Sequence, residues 1–537
     1  MGKHRKRSVA DREHGTAQAG GAVALATAVS RITGFVRTAA LAAVLGTAAV
    51  ADAYNGANSF PNMVYALLLG GILTSIVIPL LTRARARGVA GELEFTQRLL
   101  SAATVAMAAI TVVAVLCTPL LTALFVDDSA QRVLATFFAY LLLPEIFFYG
   151  LTALLTAVLN VRGIFGPGAW APVVNNIIVL VTVGAFVLLP GPLTLTPTSM
   201  TAAQVATLGA GTGLGIAVQA GWVVMALRRT GFRWRWRGVR LLPYTWRPVR
   251  RGLPLLGWVM AYVVTSQIGV AVVLKVAFSH GGVSTYTYAD LLFQVPYGIL
   301  GVSLLTVLMP RISRAAADGD RAAILSDLGR GARYSVVALV PVTVAMTLLG
   351  PALSTVIFVG RVEVADARLI GTALAVSAFG LVPLAIVMLQ LRVFYAGNDL
   401  RTPALINVAM VATKIVVVLV ASATLPDRGV VLALCVAGSV SYLAGATLGH
   451  YLLRRRYGLL GFHHVRDTAM GVGTAAVIAG TACFAVVRIT ESYIPDPRSG
   501  AAASLFAGTL TALIIFAIAA KAIGIPEIRH ARAILRR

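Results

Sequence analysis

Five basic residues stand inside long apolar stretches of this sequence: Arg31, Arg37, Lys275, Arg392 and Lys414. A lysine or arginine at the centre of a bilayer costs about 2.5–3.5 kcal/mol on insertion scales, so such residues normally face a wet cavity or a partner. Asp52, Glu145 and Asp290 are the acids at comparable depth, with Asp52 and Asp290 towards the outer ends of their segments. Five cations against three anions leave two positive charges in excess. A cavity of that sign suits an anionic ligand, and a diphosphate matches the excess. Arg31 and Arg37 are separated by about 9 Å of helical rise and about 240° of turn, so they do not share a stripe, and they can line two levels of one cavity only if its wall is broad. Lys275 and Arg392 have a competing structural account, in which long side chains snorkel to the membrane interfaces. Lys414 is too deep in its segment for that.

Other motifs carry less chemistry. Asp318-Gly319-Asp320 mimics a metal-binding acidic triplet, but it falls in a polar loop and its counterpart, Arg87-Gly88-Val89, has no acid. The seven histidines are scattered, and His463-His464 lacks a third ligand, so no metal site is expected. Neither a Ser/His/Asp set nor a phosphate-binding loop is present, so neither catalysis nor ATP-driven pumping by this chain is expected, and no cofactor is implied. Arg233-Trp234-Arg235-Trp236-Arg237 interleaves aromatic and basic residues, as a site for anionic phospholipid headgroups would. An ordinary basic linker with interfacial tryptophans reads equally well.

The elements that position these residues follow from composition. Of 537 residues, 58% are hydrophobic and 12% charged, whereas a soluble domain is about 25% charged. Cys117, Cys435 and Cys483 are too few and too scattered for a disulfide framework. The apolar runs are long and unbroken, which excludes an outer-membrane barrel. An all-α polytopic membrane protein of about 14 spans is expected. The spans lie near 21–47, 58–82, 98–126, 132–159, 168–190, 202–228, 252–278, 284–311, 331–350, 370–397, 403–423, 429–453, 468–488 and 500–523. With the N-terminus inside, the inner segments carry 34 Lys and Arg and the outer ones six, with five at membrane depth. That bias places both termini in the cytoplasm. It also explains the net charge of +25 without nucleic acid. The basic start resembles a signal peptide, but its apolar run is too long and holds Arg31 and Arg37, so it reads as an uncleaved first helix.

The chain also repeats itself. Leu69-Gly70-Gly71-Ile72-Leu73-Thr74-Ser75, followed by Pro79 and Arg83, recurs as Leu300-Gly301-Val302-Ser303-Leu304-Leu305-Thr306, followed by Pro310 and Arg314, at an offset of 231. A weaker pair around Pro167 and Pro403 is offset by 236. Duplication of a six-helix unit gives two parallel repeats, an arrangement of transporters that rock two lobes about a central cavity. The expected organisation is a basic N-terminus (1–20), an N-lobe of six spans (21–228), a linker (229–251), a C-lobe of six spans (252–453), two further helices (468–523) and a basic C-terminus (524–537).

Ser30-Arg31-Ile32-Thr33-Gly34-Phe35-Val36-Arg37, then Ala51-Asp52-Ala53-Tyr54 and Pro61-Asn62, resembles the opening signature of the MurJ (MviN) family. Tyr288-Ala289-Asp290 with Pro296 and Leu300-Gly301 resembles that family's eighth helix, and Phe394-Tyr395-Ala396-Gly397 to Arg401-Thr402-Pro403 its loop between helices 10 and 11. The resemblance covers essentially the whole chain. It implies a lipid II flippase of the bacterial cytoplasmic membrane, in the multidrug/oligosaccharidyl-lipid/polysaccharide exporter superfamily. It further implies a cationic cavity between two lobes and a groove of helices 13 and 14 for the lipid tail. Cell-wall synthesis proteins are implied as partners. By motif position Arg31 and Arg37 match the family's cavity arginines, Asp52 matches its acid after helix 1, and Asn62 and Asp290 fall within its signatures.

Two departures qualify the match. Arginines common beyond the Pro-Asn of helix 2 are replaced by Val64, Tyr65 and Ala66, and Leu291 stands where arginine often follows Tyr-Ala-Asp. Lys275, Arg392 and Lys414 are the candidates to supply the missing charge. Some members bind sodium through acids in helices 7 and 11, and spans 7, 11 and 12 here hold none. Lys414 is expected to act as a tethered cation instead, with transport driven by membrane potential. The alternatives are a flippase for another polyprenyl-linked glycan, or a drug/cation antiporter of the same superfamily. The antiporter should favour acidic cavity residues, opposite in sign to these.

Overall fold

The computed structural model describes residues 9–68, 88–192, 194–236, 246–458 and 463–527, together with 77, 81, 82, 84 and 85. The first copy of the repeated motif, Leu69 to Pro79, lies almost wholly outside the described residues, as do Arg237 and the segments 1–8 and 528–537. Every regular element among the described residues is helical. The order begins α1 (Val9–Leu45), α2 (Ala49–Leu67), α3 (Val89–Leu116), α4 (Thr118–Phe125), α5 (Ser129–Leu142), α6 (Glu145–Val161), α7 (Gly166–Val187) and α8 (Ala202–Arg229). It continues α9 (Trp246–Ser279), α10 (Val283–Pro296), a π-helical turn (Tyr297–Gly301), α11 (Val302–Ala317), α12 (Arg321–Ile357) and α13 (Val364–Ser377). The last are α14 (Leu381–Ala396), α15 (Arg401–Thr424), α16 (Asp427–Tyr457), α17 (His463–Tyr493) and α18 (Pro497–Ile523).

Among the described residues 13 helical stretches are long and apolar enough to cross a membrane. The expected span near 58–82 is the one that runs onto residues outside the description. Large apolar side chains such as Leu116, Leu120, Phe506 and Leu513 are exposed. Faces of this kind are stable only against lipid, so the chain is an all-α, multi-pass membrane protein. Polar residues close the helix ends: Asp128 accepts from the Gln131 amide, Asp320 from Ala323 and Asp496 from Ser499, and Thr201 with Gln204 forms a capping box.

The chain divides into two compact units, Met1–Val44 with Ala53–Val263, and Leu45–Asp52 with Val264–Arg537. The boundary falls within α9. In the first unit α3, α6 and α8 meet over Leu100, Leu154, Leu155, Val158, Val223 and Leu227. In the second, α11, α12, α14, α15 and α16 share a core that includes Leu308, Ile312, Leu328, Leu389, Ile406 and Leu453. Here α12 and α13 approach at glycines. A Cβ on Gly371 would stand 2.4 Å from the Gly350 carbonyl oxygen, so any side chain there would force the helices apart. The Ser354 hydroxyl bonds across the same contact to the Ala367 carbonyl at 2.5 Å.

Candidate functional site

In the first unit, α1 is held to α7 by Asn176, whose amide donates to the Ser30 carbonyl at 3.1 Å and to Thr33 Oγ1 at 3.0 Å. The contact passes Gly34, where a Cβ would lie 3.4 Å from Asn176 Nδ2, an ordinary van der Waals distance. This contact sits between the two arginines. Arg31 is exposed and Arg37 half-buried. Arg37 interacts electrostatically with Glu145 at the first turn of α6, and with Tyr54 and Tyr149. Glu145 is 1% exposed, and neither of its carboxylate oxygens accepts a hydrogen bond. Nor does Arg37 Nε donate one. Tyr54 and Thr212 share a 2.7 Å hydroxyl–hydroxyl bond, and Tyr149 packs on Tyr65 at 4.8 Å between ring centroids. The result is a charged pair with unused hydrogen-bonding capacity inside an aromatic wall. Asn62 is exposed and turns its amide onto its own helix, donating to the Asn58 carbonyl at 2.8 Å.

The second unit holds another pair. Asp290 on α10 and Lys414 on α15 line one small cavity of about 20 Å³ and interact electrostatically. Gln294 donates to Asp290 Oδ2 at 2.6 Å. Tyr286, Cys435, Ser439 and Tyr442 complete the polar lining. The spacing on each helix explains the convergence: 286, 290 and 293 on α10, and 435, 439 and 442 on α16, repeat at three and four residues and so share one face. The volume is about that of a single water. Lys275 is half-buried and Arg392 exposed, and neither lines this cavity. Thus Lys414 meets the acid Asp290, whereas Lys275 and Arg392 do not join them.

Asp52 lies in the short segment counted with the second unit. It is 1% exposed, and its Oδ1 accepts from the Ser284 amide at 2.7 Å. A carboxylate there satisfies an orphan N–H at the start of α10 and favours the helix dipole. Its neighbours hold the same segment: Thr47 donates to Asp366 at 2.5 Å and Tyr288 to the Gly46 carbonyl at 3.4 Å. In the loop from α14 to α15, Asp399 accepts from the Thr402 amide and hydroxyl at 3.0 and 2.8 Å and from Arg456 at 2.8 Å. Burial works to raise this carboxyl, but these bonds and the guanidinium outweigh it and hold it below its ordinary value of 3.8.

Tyr54, Tyr149, Tyr286, Cys435 and Tyr442 were not among the residues expected from sequence. The three-four spacing on α10 and α16 is the signal that finds the last three. A separate apolar groove of about 120 Å³ runs between α12, α17 and α18, lined by residues including Leu348, Ala476, Cys483, Leu513 and Phe516.

Residues 41–496 match the family model described as lipid II flippase MurJ. A probable lipid II flippase MurJ of Rhizobium tropici is 27% identical over 504 residues, covering 92% of this chain and 91% of that protein. A lipid II flippase MurJ of Burkholderia cenocepacia is 26% identical over 408 residues, 72% of this chain and 74% of the other. Among solved structures, a lipid II flippase MurJ in an inward closed conformation superposes with a TM-score of 0.72 at 18% identity, covering 92% of this chain and 98% of that one. An inward-facing multidrug resistance MATE transporter superposes at 0.62 with 16% identity, over 80% and 96%. These two likenesses establish the fold, and the family match over residues 41–496 places the chain in the lipid II flippase MurJ family.

Proposed function

We propose that the chain is a flippase that moves lipid II, the polyprenyl-diphosphate-linked peptidoglycan precursor, from the inner to the outer leaflet by alternating access. The observation that carries this reading is the family match over residues 41–496. The charged residues on α1 support it, because a diphosphate needs fixed cations in a place where lipid would otherwise exclude them. It is a transporter, with no catalytic step. Arg31 and Arg37 hold the diphosphate, arginine being suited to bidentate phosphate contact. Lys275, Arg392 and Lys414 add positive charge along the route, and Asp52, Asp290 and Asn62 orient the elements around it. The groove between α12, α17 and α18 takes the polyprenyl tail: its lining is almost entirely apolar. Both termini lie in the cytoplasm, the side with more Lys and Arg. Trp234 and Trp236 are exposed beside Arg233 and Arg235, which suits contact with anionic phospholipids. Cell-wall synthesis proteins are the expected partners.

Lys414 serves as a tethered cation in place of bound sodium. Moving one negative charge outward across an inside-negative membrane gains about 2.3 kcal/mol per 100 mV. The test is transport of a fluorescent lipid II analogue by the purified chain in proteoliposomes, with potential and sodium gradient imposed separately. The expected result is transport that responds to potential and ignores sodium. No movement of the analogue under any gradient would reject the flippase reading, and strict dependence on sodium would reject the role of Lys414.

A further inference from the structure

The end of α18 builds another charged site in the second unit, lined by none of the residues around Asp290 and Lys414. Gly524 closes that helix in a left-handed conformation (φ 78°). Only a residue tolerant of positive φ makes this turn without strain. The turn drives Ile525 into an apolar cluster with Val336, Val472, Ala475 and Ala520, where it is 2% exposed. That anchor carries Glu527 onto the polar first half of α12. Glu527 is 8% exposed. Its Oε1 lies 3.5 Å from Arg333 Nε and accepts from Thr468 at 3.2 Å. Its Oε2 is buried with no hydrogen-bond partner. Around it opens a cleft of about 340 Å³ lined by Arg330, Arg333, Tyr334, Pro526 and Glu527.

The depth of the cleft is set by its own helices. On α12 the charged residues end at Arg333, and an apolar run starts at Val336. On α18 the apolar run ends at Ala520, with Lys521 in the last turn before Gly524. The cleft therefore lies at the boundary where lipid headgroups sit, with an apolar cluster directly beneath it. Its charge can be summed locally. Asp327 pairs with Arg311 at 2.9 Å and lies 3.7 Å from Arg330, and Glu527 pairs with Arg333. Three arginines against two carboxylates leave one positive charge. The volume is many times that of the one-water cavity beside Lys414, enough for a headgroup.

We propose that this cleft binds the headgroup of a membrane glycerophospholipid that carries a hydrogen-bond donor beside its phosphate. One phosphodiester anion matches the single excess charge and is bridged by Arg330 and Arg333. The free Oε2 of Glu527 accepts from the ammonium of an ethanolamine headgroup or the hydroxyl of a glycerol headgroup. A choline headgroup has a phosphate but no such donor, and would leave Oε2 buried and unpaired, which is costly. This inference does not depend on the transport reading.

The experiment measures lipid retained by the purified full chain in detergent, by native mass spectrometry, after exchange with phosphatidylethanolamine, phosphatidylglycerol or phosphatidylcholine of one acyl composition. Soluble glycerophosphoethanolamine and inorganic phosphate serve as competitors. The expected result is at least fivefold preference for the ethanolamine and glycerol lipids over choline, with glycerophosphoethanolamine competing. Glu527→Gln should erase the preference among headgroups while leaving the melting temperature close to that of the parent. Arg330→Gln should lower retention of all three lipids at least threefold. It also serves if Arg333→Gln fails to fold, since Arg330 pairs with Asp327 while Arg333 is the arginine paired with Glu527. Equal retention of choline lipid by the parent chain would overturn the proposal, as would an unaltered preference in Glu527→Gln. Binding of inorganic phosphate without any lipid preference would overturn it too, by assigning the cleft to a soluble anion.

Discussion

The two charge pairs at membrane depth differ in how their hydrogen-bonding capacity is used. In the first unit Arg37 and Glu145 attract each other, yet both Glu145 oxygens and Arg37 Nε lack hydrogen-bond partners. In the second unit Asp290 is bonded to Gln294 and shares with Lys414 a cavity of about 20 Å³ ringed by polar groups. Buried polar atoms are nearly always satisfied, and exceptions concentrate where a ligand or a moving part completes them. The guanidinium also keeps its charge under all ordinary conditions and offers a planar fork, whereas the ammonium is a compact point charge. On the proposed reading the arginines of α1 bind the diphosphate, and Asp290 with its polar neighbours holds the tethered cation Lys414 in place.

The largest effect should come from the first pair. Arg31→Ala and Arg37→Ala should each lower lipid II transport in proteoliposomes by about 100-fold or more, about 2.7 kcal/mol at 1.36 kcal/mol per decade. Membrane insertion and yield should be unchanged. Normal growth of flippase-depleted cells on both variants, at normal protein level, would break the assignment. Arg37→Lys sharpens it: charge survives but the fork does not, so transport should fall about tenfold, between parent and alanine.

For the second pair, Lys414→Met and Asp290→Asn should each destabilise the protein, because each leaves one charge at membrane depth without its opposite. The double variant should melt higher than the sum of the singles implies, with a coupling of about 0.5–3 kcal/mol. Strict additivity of the melting shifts would show that the two residues do not act as a pair. The smallest effect belongs to Asp399, at the edge of the same unit. Its folded carboxyl is held below 3.8. Its contribution is therefore present above that pH and lost as pH falls through the lower folded value. Because Arg456 is 42% exposed, solvent screens the pair, and Asp399→Asn should cost no more than about 1 kcal/mol. A melting series from pH 6 to pH 3 should show the gap between parent and variant closing at the acid end.

Much of the fold was legible because lipid imposes long apolar runs with charges at their ends. The ends of α8 and α15 fall within two residues of the spans read from hydropathy, and α9 ends one residue past its span but begins six residues before it. Arg37 and Lys414 were legible as costly residues, for the same reason. Their partners were less so. Glu145 and Asp290 are remote in sequence from the cations they meet, and only tertiary packing decides which acid faces which base. Asp52 was read among the acids opposing the cations, and its bond to the Ser284 amide depends on a helix start more than 200 residues away. The charged cleft at Glu527 was invisible, since it needs the turn at Gly524 to bring an unremarkable Pro-Glu pair over two arginines.

The π-helical turn at Tyr297–Gly301 has its own consequence for how the two halves of that span are phased. Along α10 the buried positions include 285, 288, 289, 292 and 293. Continued at 3.6 residues per turn, this seam would reach about 307, 310 and 314. The buried positions of α11 are 308, 312 and 315, about one residue late. A π turn inserts one residue into an α-helix, and the seam steps round by that amount. The π turn thus absorbs the extra residue and keeps Leu308 and Ile312 in phase with the buried seam of the half that carries Asp290. Deleting a single residue between 297 and 301 would therefore restore an unbroken helix and leave Leu308, Ile312 and Ala315 on the seam continued from α10.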